Sequence, residues 1–275
     1  MKLSCADFTF PLLPHDDALS LIQMLGIEGL DLGVFAGRSH LQPGDIVGNP
    51  AQAAGDFTAR LDDCGLLLSD VFLQTGKHPG DKAANCPDPA VRAGAREVFL
   101  KVLEFASEAG AVHMTGLPGV SFDGVTDSDG LKLAAEEARW RVDEAGKAGI
   151  IYSVEPHVGS IAPTPQAAAD LVRMAGGLTL TLDYGHFIYA GFSNDDVHAL
   201  LPFASHFHAR GGAPKKLQVP MAENTIAFPE ILRRFDGYQG WICLEYVWVD
   251  WEGCNRTDNI SETILLRDLL LGASA

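Results

Sequence analysis

The chain of 275 residues has little positive charge. Its 20 lysines and arginines face 36 aspartates and glutamates, which gives a formal net charge of −16. A protein that binds nucleic-acid phosphates or an anionic membrane needs a basic surface, and no extended basic segment is present. We therefore expect neither nucleic acid nor a membrane among its partners.

Cysteines and long apolar runs are also scarce. The cysteines number 5, and none forms a Cys-x-x-Cys pair, so the sequence predicts neither a disulfide framework nor a thiolate zinc site. No run approaches the roughly 18 apolar residues of a membrane-spanning helix. Residues 1–7 lack the apolar core of a secretory signal peptide. These absences favour reduced thiols and a cytoplasmic location.

Strand-like and helix-like segments alternate along the chain. The apolar run 66–72 is typical of a buried parallel strand, and a predicted helix over 88–109 and a predicted strand over 111–114 follow it. Eight such pairs fit residues 1–275 without a shift in composition, and a (β/α)₈ barrel takes about 250 residues. We therefore predict one α/β domain, a closed (β/α)₈ TIM barrel. The alternative, an open doubly wound sheet, usually carries a glycine-rich phosphate loop after its first strand, and this sequence has none there.

Four predicted strands end in a residue type that binds metal ions. Glu155, Asp183, His208 and Glu245 are separated by 28, 25 and 37 residues, and one strand with its crossover helix and loops takes about 30 residues. Each βα unit therefore supplies one ligand to the C-terminal rim, where barrel active sites lie. Taken singly, each residue could instead cap a helix or form a salt bridge; their common level on consecutive strands favours a metal site.

The chemistry of these four side chains predicts the kind of ion. Three carboxylates at one rim would repel one another and raise their pKa values, and a divalent cation removes that repulsion. Three oxygen ligands and one imidazole favour a hard or borderline ion. We expect one ion, Mn²⁺ before Mg²⁺, Co²⁺ or Zn²⁺.

The same four residues, with the motif Asp183-x-x-His186, resemble the Glu–Asp–His–Glu metal site of the xylose-isomerase-like barrels. The resemblance covers essentially the whole chain. This family includes sugar isomerases, ketose 3-epimerases, inosose isomerases and dehydratases and, more distantly, endonuclease IV.

The resemblance implies a divalent-metal-dependent isomerase or epimerase that acts on a sugar or keto-sugar through a metal-stabilised enediolate. Glu155 and Glu245 are then the catalytic residues that transfer protons, and His186 contacts a substrate oxygen. The implied partner is a small carbohydrate or polyol. Family members often form dimers or tetramers, so a homo-oligomer is also implied.

Two positions depart from the ketose 3-epimerase pattern. Ketose 3-epimerases have a glutamate six residues after the first ligand, where this chain has Ile161. They have an arginine six residues after the histidine ligand, where this chain has Pro214. The sequence therefore does not specify a ketohexose 3-epimerase. Arg210 is our candidate for binding substrate oxygens instead, and His157 is expected near the same rim.

Other side chains are candidates for the remaining walls of the pocket. We expect His113 at the end of the fourth strand and His78 in the long irregular segment 74–87, and both are candidates for substrate binding. Weaker candidates are Lys77, Asn85 and Gln218. Five aromatic residues could form an apolar wall for a sugar or simply pack the barrel: Phe35, Phe72, Phe187, Trp248 and Trp251.

Three other functions remain open. A dehydratase would use the same first proton abstraction and then eliminate water. A phosphodiesterase like endonuclease IV would need an Asp-x-His pair on the seventh strand, where this chain has His206-x-His208. A barrel that binds a sugar without catalysis is the third alternative.

Overall fold

The structure is a computed structural model that describes residues 2–235 and 238–273. Eight parallel strands form a closed barrel in sequence order, and the last strand pairs with the first. The strands are β1 (Lys2–Ala6), β2 (Gly29–Phe35), β3 (Leu67–Gln74), β4 (His113–Gly116), β5 (Ile151–Val154), β6 (Thr179–Asp183), β7 (Ala204–Ala209) and β8 (Trp241–Leu244). The predicted TIM barrel is confirmed.

Helices surround the barrel and connect successive strands. They are α1 (His15–Met24), α2 (Pro43–Ile46), α3 (Pro50–Cys64), α4 (Pro89–Glu108), α5 (Asp127–Lys147), α6 (Pro165–Ala175), α7 (Tyr184–Tyr189), α8 (Asn194–His198), α9 (Phe228–Arg234) and α10 (Asn259–Ala273). Short 3₁₀ turns lie between some of them. Among the described residues, none of the helices has the length and apolar content needed to cross a bilayer.

Local sequence explains where several helices begin and end. Asn49 accepts a hydrogen bond from the Gln52 amide before Pro50 opens α3, and Gly65 ends that helix at φ 65°. Thr164 caps α6 in the same way. Helix α1 begins at His15, and Asp16 lies in its first turn. A carboxylate is favoured there by the helix dipole.

The inside of the barrel is polar, whereas such interiors are usually filled by branched apolar side chains. Hydroxyl groups of Thr115 and Ser153 lie 2.7 Å and 2.5 Å from the Thr181 hydroxyl. Asp31 and His206 are also buried inside and form a hydrogen bond. Ionisable groups therefore lie directly beneath the barrel mouth.

Strand pairing brings the four predicted ligands to one level. Asp183 on β6 is paired with His208 on β7. The Glu155 amide donates to the Gly116 carbonyl at 3.0 Å, and the Glu245 amide donates to Ala209 at 2.9 Å. Both glutamates thus continue the parallel ladder one residue beyond their strands. All four side chains start from the C-terminal rim.

Candidate active site and metal centre

Three of the predicted ligands meet at one imidazole nitrogen. Nδ1 of His208 lies 2.6 Å from Oε1 of Glu155 and 3.4 Å from Oε1 of Glu245. Each of the three residues offers a ligand atom within 4.8 Å of the others. All three are buried. One ion could contact all three side chains after small rotations.

Asp183 belongs to an adjoining group that shares Glu155 and includes His186. Its Oδ2 lies 2.5 Å from Nη2 of Arg210, whose Nη1 lies 3.3 Å from Oε2 of Glu245. The guanidinium therefore bridges two predicted metal ligands and neutralises part of their charge. The second oxygen of Asp183 accepts the Gly185 amide at 2.6 Å, which fixes the carboxylate at the start of α7.

Asp31 supports His208 from inside the barrel. Its Oδ2 lies 2.6 Å from Nε2 of His206 and 3.4 Å from Nε2 of His208. Ser4 and Ser69 donate to the other oxygen at 2.7 Å and 2.5 Å. A proton on Nε2 facing this carboxylate leaves Nδ1 of His208 as the metal-binding atom, in the usual carboxylate–histidine–metal arrangement.

The two glutamates have opposite pKa shifts. Burial opposes ionisation of Glu155, but the His208 ring, with His186 and Arg210, outweighs it and lowers the pKa to about 2. Burial raises the pKa of Glu245 to about 8, against the attraction of His208 and Arg210. The Glu155 carboxylate adds to that increase. The surroundings therefore favour the ionised form of Glu155 and the protonated form of Glu245.

The histidines of the site also differ. Burial alone would lower the pKa of His208, yet Glu245, Glu155 and Asp31 together raise it well above its usual value. Burial lowers the pKa of His186 to about 4, so its ring is neutral. The Val158 amide donates to Nδ1 of His186 at 3.3 Å. Nε2 of His186 lies 3.6 Å from Oδ2 of Asp183.

The residues present fit a divalent cation. Oε2 of Glu245 is buried and has no hydrogen-bond partner in the part of the chain that the structure describes. It forms an ion pair with Nη1 of Arg210 at 3.3 Å but no hydrogen bond, and a divalent cation would satisfy it more fully. Glu155, Asp183, Glu245 and Nδ1 of His208 would hold the ion, and an oxygen-rich set with one imidazole suits Mn²⁺ or a similar ion.

His157 lies beside this centre. Its Nδ1 donates to the Val158 carbonyl at 2.9 Å, and its ring centroid lies 6.3 Å from that of His186. Its buried Nε2 has no partner among the described residues. Burial lowers the pKa of His157, so Nε2 is an acceptor available to a substrate hydroxyl.

The expected position of His113 is wrong. It is the first residue of β4, not the last, and its ring lies inside the barrel, 2.6 Å from Asp70 and 2.8 Å from Ser205. The sequence pattern placed the start of the strand at the apolar residues Ala111 and Val112, which in the structure precede it. The strand therefore begins at His113 instead of ending near it. A substrate role for His113 gains no support from this position.

The long loop after β3 contributes less than expected. His78 is exposed, and its Nδ1 accepts the Asp81 amide at 3.1 Å within a local turn. The Asn85 side chain is buried and exchanges hydrogen bonds with the backbone of Val120 at 2.7 Å and 3.0 Å. Asn85 therefore fastens the loop to the barrel.

Gln218 also has a structural position. Its amide nitrogen donates to the carbonyl oxygens of Val247 and Cys254 at 3.0 Å and 2.7 Å, and its oxygen accepts the Val247 amide. These bonds hold the segment after β8 in place.

Sequence reasoning missed Asp31 and Arg38. Asp31 is a charged residue between two apolar neighbours on β2, which was an available signal for an inward-facing group. The Arg38 guanidinium lies over the Phe35 ring at 4.5 Å and donates to Gln74 at 3.0 Å. Glu245 and Glu155 both attract it electrostatically. Arg38 is thus a cation whose charge interacts with both glutamates.

Only some of the candidate aromatic residues line the site. Phe35 and Phe72 pack edge to face at 5.0 Å, and Phe72 lies 5.4 Å from the His208 ring. Trp251 lies 6.2 Å from the His186 ring. Phe187 instead belongs to the main core, and Trp248 lines an outer groove with Leu12 and Ile260. Phe35, Phe72 and Trp251 therefore supply an apolar wall.

This fold and this cluster define a class: a (β/α)₈ barrel with a candidate metal centre at its C-terminal mouth. A model of the xylose isomerase-like TIM barrel family matches residues 20–268. The chain belongs to that family. A search of curated protein sequences finds no significant match.

Solved structures with the same fold are distant in sequence. A D-psicose 3-epimerase from Clostridium cellulolyticum H10, solved with D-tagatose, is 15% identical, covers 99% of each chain and has a TM-score of 0.77. An L-ribulose 3-epimerase is 16% identical over 100% of this chain and 96% of its own, with a TM-score of 0.74. A probable 3-DHS dehydratase of petrobactin synthesis from Bacillus anthracis is 14% identical over 97% and 99%, with a TM-score of 0.71.

Proposed function

We propose that this protein is a divalent-metal-dependent isomerase or epimerase of a sugar or keto-sugar that works through an enediolate of its substrate. The observation that carries the proposal is the meeting of two glutamates at one buried imidazole nitrogen, at 2.6 Å and 3.4 Å. Similarity in fold to sugar epimerases supports it. Cytoplasmic location, a homo-oligomer and the absence of nucleic acid as a partner stay predictions.

The chemistry needs a base, an acid and a means of acidifying a C–H bond. A divalent ion held by Glu155, Asp183, His208 and Glu245 would supply Lewis acidity at the substrate carbonyl. The carboxylate of Glu155 takes the proton from the carbon next to that carbonyl. Glu245 returns a proton, either to the same carbon from its other side or to the neighbouring carbon. The first outcome is epimerisation and the second is isomerisation.

Neutral and cationic groups around the two glutamates orient the substrate. His157 presents to a substrate hydroxyl its Nε2, which is unpartnered within the described residues. Nε2 of His186 lies 3.1 Å from Nη2 of Arg210, so a substrate oxygen that binds His186 would replace that contact. Arg210 bridges Asp183 and Glu245. The Phe35 and Phe72 rings exclude water from one side. Exclusion of water strengthens each of these electrostatic contacts.

A dehydratase is the second candidate, and one observation favours it. Ile161, at the position of the second epimerase glutamate, is buried in the apolar core. One of the similar structures is that of a probable 3-DHS dehydratase. In that reaction Glu155 again takes the α proton, and the hydroxyl group on the next carbon leaves as water after accepting a proton.

The experiment is proton exchange with solvent. Protein loaded with Mn²⁺ is incubated in D₂O with keto-sugars and inososes, and products are analysed by NMR and mass spectrometry. Deuterium in an epimer or isomer supports the proposal, and a product that has lost water identifies the dehydratase.

Variants assign the proton transfer. We expect E155Q and E245Q each to lower the exchange rate by about 10²-fold or more, since each removes a general acid or base. E223Q is the control, because Glu223 forms an exposed ion pair with Lys216, and its rate should match wild type. An E155Q rate equal to wild type would overturn the role of Glu155. No exchange into any substrate of this class would overturn the proposed function.

A further inference from the structure

A second cluster of metal-binding side chains lies outside the centre described above. Asp7 follows β1, His15 begins α1 and His40 lies in the loop between β2 and α2. Oδ2 of Asp7 is 3.1 Å from Nε2 of His15 and 3.4 Å from Nδ1 of His40. All three ligand atoms lie within 4.8 Å of one another.

These three atoms face each other without hydrogen bonds. Oδ2 of Asp7, Nε2 of His15 and Nδ1 of His40 are each buried, and none has a hydrogen-bond partner within residues 2–235 and 238–273. The side chain of Asp7 has 0% exposure and those of the two histidines 9% each. Buried polar atoms are rarely left unsatisfied, so the centre of this cluster is a place for a cation.

The surrounding contacts fix which atoms carry lone pairs. Nε2 of His40 lies 3.0 Å from the Leu13 carbonyl, which can only accept, so Nε2 carries the proton and Nδ1 of the neutral ring has a lone pair. The other oxygen of Asp7 accepts the Gly33 amide at 2.9 Å. Metal-bound histidines usually donate the N–H of their second ring nitrogen to an acceptor such as the Leu13 carbonyl.

A lone pair opposite a carboxylate oxygen at 3.4 Å is repulsive unless a proton or a metal ion lies between them. The His15 and His40 rings are nearly parallel, at 7°, with centroids 4.6 Å apart. Because a metal ion binds in the plane of an imidazole ring, one of these rings would turn when both nitrogens bind the same ion. Burial opposes protonation of His40, but Asp7 raises its pKa, so a proton can lie between them in the metal-free protein, and a metal ion that binds all three atoms would displace it.

The spacing also suits a small ion. Ligands bound at about 2.0–2.1 Å in tetrahedral geometry lie roughly 3.3–3.4 Å apart, close to the two distances to Asp7. We propose that Asp7, His15 and His40 bind a divalent transition-metal ion, of the Zn²⁺, Co²⁺ or Fe²⁺ class, at a site separate from the Glu155–Glu245 centre. Two imidazoles and one carboxylate select this class over Mg²⁺ and Ca²⁺.

The ion would join three segments at the mouth of the barrel. It ties the end of β1 to the start of α1 and to the loop after β2. Phe8, next to Asp7, packs on Phe35 at 4.9 Å and on Phe72 at 6.3 Å. Metal binding thereby steadies the aromatic wall of the candidate active site.

The test uses the full chain with the other centre disabled. In the E155Q/E245Q background, Co²⁺ is added to protein stripped by chelation, and visible absorption, isothermal titration calorimetry and elemental analysis after desalting are recorded. We expect one Co²⁺ per chain with the intense visible bands of a four-coordinate site, and competition by Zn²⁺. The result is independent of whether the protein is an isomerase, since no turnover is measured.

Matched variants locate the ion. Adding H15N or H40N to that background should lower Co²⁺ affinity at least about 10-fold and remove the four-coordinate spectrum. H78N is the control, because His78 is exposed and outside the cluster, and it should bind as the background does. Circular dichroism establishes that each variant is folded. A background protein that binds no Co²⁺ or Zn²⁺ at micromolar concentration, or binding that survives both H15N and H40N, would overturn the proposal.

Discussion

The two ring nitrogens of His208 face different environments. Nδ1 faces Glu155 and Glu245, and Nε2 faces Asp31. The Asp31 carboxylate favours a proton on Nε2 of His208, which leaves Nδ1 as the metal-binding atom once Nδ1 has lost its own proton. Asp31 is therefore a positioning residue that acts through His208.

We predict that D31N weakens Mn²⁺ binding about 10- to 100-fold, as loss of such partners generally does. Asparagine keeps the volume but presents no charge to Nε2 of His208. The measurement is isothermal titration calorimetry with Mn²⁺, at a temperature where circular dichroism shows the variant folded.

D70N is the matched control for this change. Asp70 is also a buried carboxylate inside the barrel, with an oxygen within 4.8 Å of a ring nitrogen of His208, but its hydrogen bond is to His113, at 2.6 Å. Its loss should reduce stability without a comparable effect on Mn²⁺ affinity. Equal affinities in D31N and wild type would refute the positioning role of Asp31.

At the scale of elements, a buried glutamate joins α4 to α5. Glu137 on α5 lies 2.8 Å from Arg96 and 3.3 Å from Arg92, both on α4, and 2.9 Å from Arg141. Its side chain is 3% exposed. Burial would raise its pKa, but the hydrogen bonds from Arg96 and Arg141 outweigh that and lower it.

The sign of the resulting pH dependence follows from that shift. A carboxyl with a lower pKa in the folded state stabilises the fold above the unfolded pKa, about 4.3 for glutamate. That stabilisation is lost as the pH falls through the folded-state value. Acidification should therefore remove the advantage of wild type over a variant that lacks the charge.

We predict that E137Q lowers the free energy of unfolding by about 1–3 kcal/mol near neutral pH, and by less at acid pH. Urea unfolding at both pH values measures the difference. E104Q is the control, because Glu104 is exposed and pairs with the exposed Lys101 at 2.8 Å, and its effect should stay within about 0.5 kcal/mol. A larger deficit for E137Q in acid would contradict this account.

At the scale of the whole molecule, the candidate metal centre depends on barrel closure. Its ligands come from four successive strands, β5 to β8, so an unfolded chain holds no preformed site. An ion that binds only the folded state adds about 2.7 kcal/mol at 100 times its dissociation constant. Metal binding should therefore be visible in the stability of the whole domain.

We predict that saturating Mn²⁺ raises the Tm by roughly 5–10 °C, and that chelation reverses the shift. E155Q/E245Q should lose most of this response, whereas E223Q should keep it. Differential scanning calorimetry makes the measurement. A shift of equal size in E155Q/E245Q would place the stabilising ion elsewhere in the protein.

Particular residues show how far the sequence alone leads. The predicted helix over 88–109 agrees with α4, because Asp88 caps its start, Pro89 opens it and Gly110 follows its end. Helix α7 was not expected, because the segment after Asp183 that forms it is only six residues long and mostly apolar. His113 was misplaced because apolar composition does not show where strand pairing begins.

The sequence by itself determined the barrel and the rim positions of Glu155, Asp183, His208 and Glu245. Alternation of elements and the spacing between strand ends are local properties, and parallel strands bring equivalent ends together. The catalytic and binding roles of these residues stay predictions.

Only the tertiary structure decided the contacts between distant segments. Asp31 reaches His206 across 175 positions of sequence, Arg210 bridges Asp183 and Glu245, and His15 and His40 meet Asp7. The physical reason is that these contacts depend on which face each strand turns inward and on how closely the closed barrel brings its loops together. The spacing of residues along the chain specifies neither the inward face of each strand nor the distance between loops.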